Sequence, residues 1–295
     1  MKVLLVGSTG MLGQQLYKKM IEGGIEVVTV ARSNSMYQID LFADEGKLIG
    51  IIKAERPDVV INSAALINLK ECEENPGKAY AINARIPGLI GLACREINSY
   101  FVQISTDHYY SNDGKKLHNE RDKIILLNEY ARTKYAGECF ALTNNKSLVI
   151  RTNIVGFRNK KNEPTFIEWA VSSLQAHEEI TGFDDFYTSS IDVETFSDIL
   201  IGLIDERITG VINVAAADVV SKFDFIYEIA KKLGKEQYVL KGKTNQFQGI
   251  KRAESLGLDT TKLKGILKNQ EVPITKQVVD RLIEKYEEGA FYEIR

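Results

Sequence analysis

Tyr130 and Lys134 are four residues apart in the run Tyr130-Ala131-Arg132-Thr133-Lys134. On a helix that spacing puts both side chains on one face, one turn apart. A free tyrosine has a pKa of about 10 and exchanges protons poorly at neutral pH. A neighbouring ammonium favours the phenolate and brings the hydroxyl towards working pH, so the pair can trade a proton with a ketone or an alcohol. Spacing alone does not select this pair, because the chain has 13 tyrosines and Tyr227 and Lys231 repeat the pattern. The run Ser105-Thr106-Asp107 adds a second hydroxyl group, and Thr106 precedes Tyr130 by 24 residues.

The elements that must position these groups can be read around them. Tyr100 to Ile104 reads as a strand, and Ser105 and Thr106 follow its carboxyl end, the edge where open parallel sheets bind ligands. Asn128 is an expected N-cap for a helix carrying Tyr130 and Lys134 and running to about Thr143. At the start of the chain, Val3 to Val6 is an apolar run of the kind buried in a parallel sheet. It is followed by Gly7-Ser8-Thr9-Gly10-Met11-Leu12-Gly13 and an amphipathic stretch through Ile21. Such a turn brings backbone close to a phosphate, and the helix N-terminus behind it offers N–H groups to the anion. Gly7, Thr9, Gly10, Met11, Leu12 and Gly13 are therefore candidate dinucleotide contacts. A plain glycine-rich turn is the alternative.

Ile25 to Ala31 reads as a second strand. It ends in Arg32 and Ser33 rather than in the carboxylate that usually holds an NAD ribose, which points to NADPH with NADH as the second choice. A solvated arginine is the other reading of Arg32. Asp40 and Leu41 open the next turn, within expected reach of an adenine. A third strand from Pro57 ends in small residues, with Ala64, Ala65 and Leu66 placed to let a cofactor lie along backbone. Pro76 to Ile97 reads as a helix, on which Asn83 either reaches back to the sheet or is a buried structural amide. Strands alternating with helices throughout predict an α/β, Rossmann-type, doubly wound parallel sheet.

A net charge of -2 over 295 residues gives no argument for nucleic acid or a membrane surface as partner. The three cysteines Cys72, Cys94 and Cys139 match no metal-ligand spacing, so no metal is expected, and they read as reduced intracellular thiols. The apolar run at Val3 to Val6 is too short for a signal core or a membrane span, which makes the cytoplasm the expected location.

Gly7-x-x-Gly10-x-x-Gly13, Asn62-Ser63-Ala64-Ala65, Ile104-Ser105-Thr106-Asp107 and Tyr130-x-x-x-Lys134 with Ala136-Gly137-Glu138 occur in the order of one family. The chain resembles an extended short-chain dehydrogenase/reductase, and more narrowly the dTDP-4-dehydrorhamnose reductase branch. The run Arg252 to Asp259 resembles that branch's substrate-side motif. The resemblance implies that NADPH reduces a nucleotide-linked 4-keto-6-deoxy sugar for surface polysaccharide synthesis. Tyr130 would donate the proton, Thr106 would orient the carbonyl, and Lys134 would bias Tyr130 and hold the nicotinamide ribose. Ser105 and Asn153 are added to the cofactor contacts. Asn68, Thr106, Asp107, His108, Ile154, Tyr187 and Arg252 are the substrate candidates, Arg252 for the diphosphate or else as an ordinary surface arginine. A homodimer fits the superfamily.

The chain leaves the family pattern where sugar should touch protein. His108 stands where 4,6-dehydratases carry a glutamate and rhamnose reductases a tyrosine, which favours reduction over dehydration. Leu66-Ile67-Asn68 replaces Tyr-Thr-Ala, Ile154 replaces a tryptophan, Ala253 replaces a proline, and Asp184 to Ser190 replaces a Gly-x-Pro-Thr segment. A nucleotide-sugar epimerase with bound NAD(P), or a non-catalytic NAD(P)-binding regulatory subunit, are the alternative functions. The expected domains are a dinucleotide-binding domain of 1–152 plus about 184–216, and an interleaved α/β substrate domain of about 153–183 plus 217–295.

Overall fold

The computed structural model describes residues 1–110, 117–160, 163–246, 249–267 and 271–290. The chain forms two compact units. One comprises Met1–Thr106, Leu126–Arg151 and Ser197–Ile212, and the other Asp107–Ile125, Thr152–Phe196 and Asn213–Arg295. Residues 107–125, 152, 184–196 and 213–216, which the sequence reading places with the dinucleotide-binding domain, cluster with the second unit. None of the described helices is long and apolar enough to cross a membrane.

The first unit is built on a seven-stranded sheet. Across it the strands run Gly210–Asn213, Ser147–Arg151, Tyr100–Ile104, Val59–Asn62, Lys2–Val6, Glu26–Ala31 and Tyr37–Gln38. The adjacent pairs from Ser147–Arg151 through to Tyr37–Gln38 are all parallel. Sequence order reverses between Val59–Asn62 and Glu26–Ala31 on either side of the first strand, the crossover that makes a doubly wound sheet and its ligand-binding edge. Val3, Leu4, Leu5, Val59, Val60, Ile61, Phe101, Val102, Leu148 and Val149 are fully buried, as strands covered by helices on both faces require. The short strand Tyr37–Gln38 and the helix Glu45–Glu55 carry too little pattern to be read from sequence. The expected single helix from Pro76 is instead Pro76–Tyr80, a π-turn over Ala81–Arg85, and Ile86–Ile97.

The second unit has a four-stranded sheet ordered Val220–Ser221, Tyr187–Thr188, Ser255–Leu258 and Leu117–His118. Tyr187 pairs with Ser221 on one side and Ser255 on the other. The run Arg252 to Asp259 thus supplies a central strand. Helices Phe166–Gln175, Lys222–Leu233 and Thr275–Lys285 bury a separate core around Ile167, Val171, Leu174, Phe225, Ile229, Val279 and Leu282. Ser221 and Asp224 form a capping box at the start of Lys222–Leu233.

Candidate active site

The glycine turn leads directly into the helix Met11–Glu22. Gly10 caps that helix without a side-chain hydrogen bond, and no acid lies in its first turn. Its end is therefore open to an anion. A Cβ on Gly13 would lie 2.2 Å from the Gly7 carbonyl oxygen and 2.7 Å from Ser8 Cα, so the helix can approach the strand only with glycine there. Thr9 accepts a hydrogen bond at its carbonyl from the Gln14 side chain at 2.9 Å. Met11 and Leu12 begin the helix, with Leu12 buried.

At the end of the second strand, Arg32 and Ser33 are exposed. Asp40 is exposed, and its carboxylate accepts from the Phe42 N–H at 2.9 Å. Leu41 packs on the core of the first unit, as does Ala64. Ala64 N–H donates to the Asn62 side chain at 3.2 Å, and Ala65 and Leu66 continue partly buried. Asn83 is 1% exposed, and both ends of its amide are engaged. Its oxygen accepts from Leu66 N–H at 2.8 Å, while its NH₂ donates to the Leu66 carbonyl at 2.9 Å and to Thr133 Oγ1 at 3.1 Å. Asn68 spends its side-chain oxygen on the Glu71 N–H, as N-cap of Leu69–Glu74.

Asn128 caps Glu129–Ala141, its oxygen accepting from Ala131 N–H at 2.9 Å. Tyr130, with 9% of its surface exposed, packs with Cys72 and Ala79, and with the partly buried Leu66 and Leu69. Lys134 is 4% exposed, and its ammonium donates to the Ile104 carbonyl at 2.7 Å. That bond ties the helix to the strand end two residues before Thr106, itself buried. Burial brings the Lys134 ammonium down to about 8, against the opposing pull of Glu138. One turn on, Glu138 is buried, accepts from Ser105 Oγ at 2.5 Å and receives the Arg151 guanidinium, with Nη2 at 2.8 Å and Nε at 3.2 Å from the carboxylate. A Cβ on Gly137 would stand 2.1 Å from the Asn83 carbonyl oxygen, so the helix packs directly on the π-turn. Sequence reasoning quoted Glu138 and Arg151 but gave neither a role; a buried pair 13 residues apart in the chain leaves no periodic signal. Tyr227 and Lys231 are exposed on Lys222–Leu233, with the Tyr227 ring stacked on Phe223, as their reading as a surface pair expects.

The remaining candidates lie in the second unit. Asp107 is 1% exposed, and Asn153 Nδ2 donates to its Oδ2 at 2.7 Å. Asn153 accepts in turn from Ser190 Oγ at 3.2 Å. His108 Nε2 is 3.9 Å from Asp107 Oδ1. Burial pushes the Asp107 carboxyl up and the His108 imidazole down, each partly offset by the other's charge. Ile154 lies in a short strand parallel to Ile191–Asp192, Tyr187 is partly buried in its sheet, and Arg252 is exposed. Lys222, which sequence reasoning passed over, acts by its charge on both Asp107 and His108. The first unit can therefore hold a dinucleotide and a proton donor, and the second offers polar and cationic groups.

A family model described as the RmlD substrate binding domain matches residues 1–287. The probable low-salt glycan biosynthesis reductase Agl14 of Haloferax volcanii is 26% identical over 243 residues, covering 79% of this chain and 81% of that protein. The dTDP-4-dehydrorhamnose reductase of Escherichia coli is 28% identical over 244 residues, covering 79% of this chain and 80% of that enzyme. The crystal structure of a hypothetical dTDP-4-dehydrorhamnose reductase from Sulfolobus tokodaii superposes with a TM-score of 0.83 at 31% identity, covering 92% of this chain and 97% of that one. With nearly its whole length matched and the glycine turn, strand-end hydroxyls and Tyr-Lys helix all in place, the chain belongs to the RmlD substrate binding domain family.

Proposed function

We propose that this chain is an NADPH-dependent reductase of a nucleotide-linked 4-keto-6-deoxy sugar, acting in surface polysaccharide synthesis. The observation that carries the reading is the hydrogen bond from Lys134 to the Ile104 carbonyl. It fixes the Tyr130 helix to the strand end that bears Thr106 and keeps an ammonium buried one turn from the tyrosine. The named relatives in Haloferax volcanii and Escherichia coli, a glycan biosynthesis reductase and a dTDP-4-dehydrorhamnose reductase, support the same chemistry.

The open helix end behind Gly10 suits a pyrophosphate, and exposed Arg32 and Ser33 suit the 2′-phosphate that distinguishes NADPH, with NADH the weaker partner. NADPH, when bound, supplies the hydride to the sugar carbonyl carbon. Thr106 hydrogen-bonds the carbonyl oxygen and orients it. Tyr130 donates its phenolic proton to the alkoxide as it develops. Lys134 holds positive charge beside Tyr130, favouring the phenolate left behind and thereby the transfer. Ser105 and the Glu138–Arg151 pair hold the helix and strand end in register, while Asp107, His108, Ile154, Tyr187 and Arg252 receive the nucleotide sugar. Asn83 and Asn153 act by fixing Leu66 and Asp107 in place.

Incubation with NADPH and a panel of nucleotide-linked 4-keto-6-deoxy sugars tests this, read as loss of the reduced nicotinamide band near ~340 nm. No loss with any panel member sinks the reading. A cytoplasmic homodimer completes the proposal. Leu92 and Phe140 are 44% and 50% exposed on two helices of the first unit, apolar surface that a second copy would cover. Sedimentation as a monomer at micromolar concentration would remove the dimer.

A further inference from the structure

Lys222 occupies the first position of the helix Lys222–Leu233. A cation there opposes the helix dipole, and the end is already satisfied by the Ser221–Asp224 capping box. The lysine's charge thus gains nothing from its place on the helix. Its ammonium sits 4.5 Å above the Phe166 ring and 5.8 Å from the centre of the Phe225 ring. Cation–π contact holds the charge in place but satisfies none of its three N–H donors. Among the described residues, the Lys222 ammonium forms no hydrogen bond and no ion pair.

Asp107 is the carboxylate whose charge acts on Lys222, and one of its oxygens is already taken by Asn153. Arg252 and Lys222 both act on His108, and both oppose its protonation. Burial lowers the Lys222 ammonium to about 8, against the opposing pull of Asp107, and pushes the Asp107 carboxyl up. A partly desolvated ammonium with open donors is stabilised by an anionic oxygen.

We propose that Lys222 is a specificity-determining residue whose ammonium, seated on Phe166 and Phe225 within charge reach of Asp107 and His108, binds an anionic oxygen group of the nucleotide substrate. That group is either the diphosphate or a carboxylate on the sugar. The assignment rests on the reading of the chain as a nucleotide-sugar enzyme and narrows what that substrate carries.

Calorimetric titration of the full chain, as wild type, Lys222→Met and Lys222→Arg, tests it without requiring turnover. The probes are dTDP, UDP, and UDP-sugars with and without a carboxylate, here UDP-glucuronic acid and UDP-glucose. Lys222→Met is expected to weaken the contacted class at least about tenfold, one charge-assisted hydrogen bond's worth. Lys222→Arg is expected to recover most of that loss. Weaker binding of dTDP and UDP assigns the diphosphate, and a loss confined to UDP-glucuronic acid assigns the carboxylate. NADPH affinity, unchanged in every variant, reports intact folding. Equal binding of all probes by Lys222→Met and wild type overturns the proposal, as does failure of wild type to bind any of them. A protein that reduces no ketosugar yet shows Lys222-dependent binding would lose the proposed reaction and keep this site. In an active enzyme the variant should raise KM with kcat nearly unchanged, since the contact is the same in ground and transition states.

Discussion

Two lysines, one in each unit, are held in opposite ways. In the first, Glu138 and Arg151 answer one another through two nitrogens, Ser105 fills a further acceptor, and Lys134 is spent on a backbone carbonyl. In the second, Lys222 rests on two aromatic rings, within charge reach of a carboxyl that burial pushes up and an imidazole that burial pushes down. Charges that are mutually satisfied hold a geometry without help from a ligand. An ammonium held by rings alone keeps its donors for one.

The contrast can be broken by substitution, and the largest effect belongs to the first unit. Tyr130→Phe removes the proton donor and should lower kcat by roughly 10²–10⁴ while leaving NADPH binding intact. Near-normal turnover would return Tyr130 to being a packed aromatic. Next in size is Arg151→Met, which strands Glu138 as a buried charge and should cost about 3–5 kcal/mol in denaturant unfolding. The double change Arg151→Met with Glu138→Leu should recover much of that loss. If the single and double variants are equally unstable, the pair is not what holds this region.

Lys134 gives a smaller effect with a defined direction in pH. Its folded-state value of about 8 lies below the ordinary 10.5, so between those values the unfolded chain binds more protons than the folded one. Stability therefore bears the full cost of the buried ammonium below about pH 8, and that cost is relieved as pH rises towards 10.5. Lys134→Met should reduce this rise in urea unfolding measured across that range, Lys222 supplying a similar share, and turnover of the wild type should fall as the Lys134 ammonium is lost above about pH 8. A variant with the same pH slope as wild type would move the titration to another group. The smallest effect is expected for Arg32→Ala, a raised KM for NADPH of about tenfold with little change for NADH. Equal changes for both cofactors would make Arg32 a surface residue.

What could be read from the sequence was the part written locally. The apolar run before Gly7, the glycine spacing, the Asn128 cap and the Tyr130–Lys134 spacing each depend on neighbours within a turn or two. The π-turn over Ala81–Arg85 was not legible, and the close packing of Gly137 on its Asn83 carbonyl comes from more than 50 residues away. Lys222 was missed for a related reason. At the start of an amphipathic helix a lysine reads as solvated, and only Phe166, brought in from another helix, changes its surroundings. The reading of Asn83 stood open between two roles, and its amide lies fully within the protein, on Leu66 and Thr133.

That amide has a consequence for motion. Leu66 belongs to a stretch without regular secondary structure, yet its N–H and its carbonyl are both bonded to one buried side chain, much as they would be by an adjacent strand. Its opening is therefore coupled to that of the π-turn and the Tyr130 helix rather than to loop fluctuation. In deuterium exchange the Leu66 amide should remain protected on the timescale of the sheet, while the exposed Ile67 beside it exchanges early.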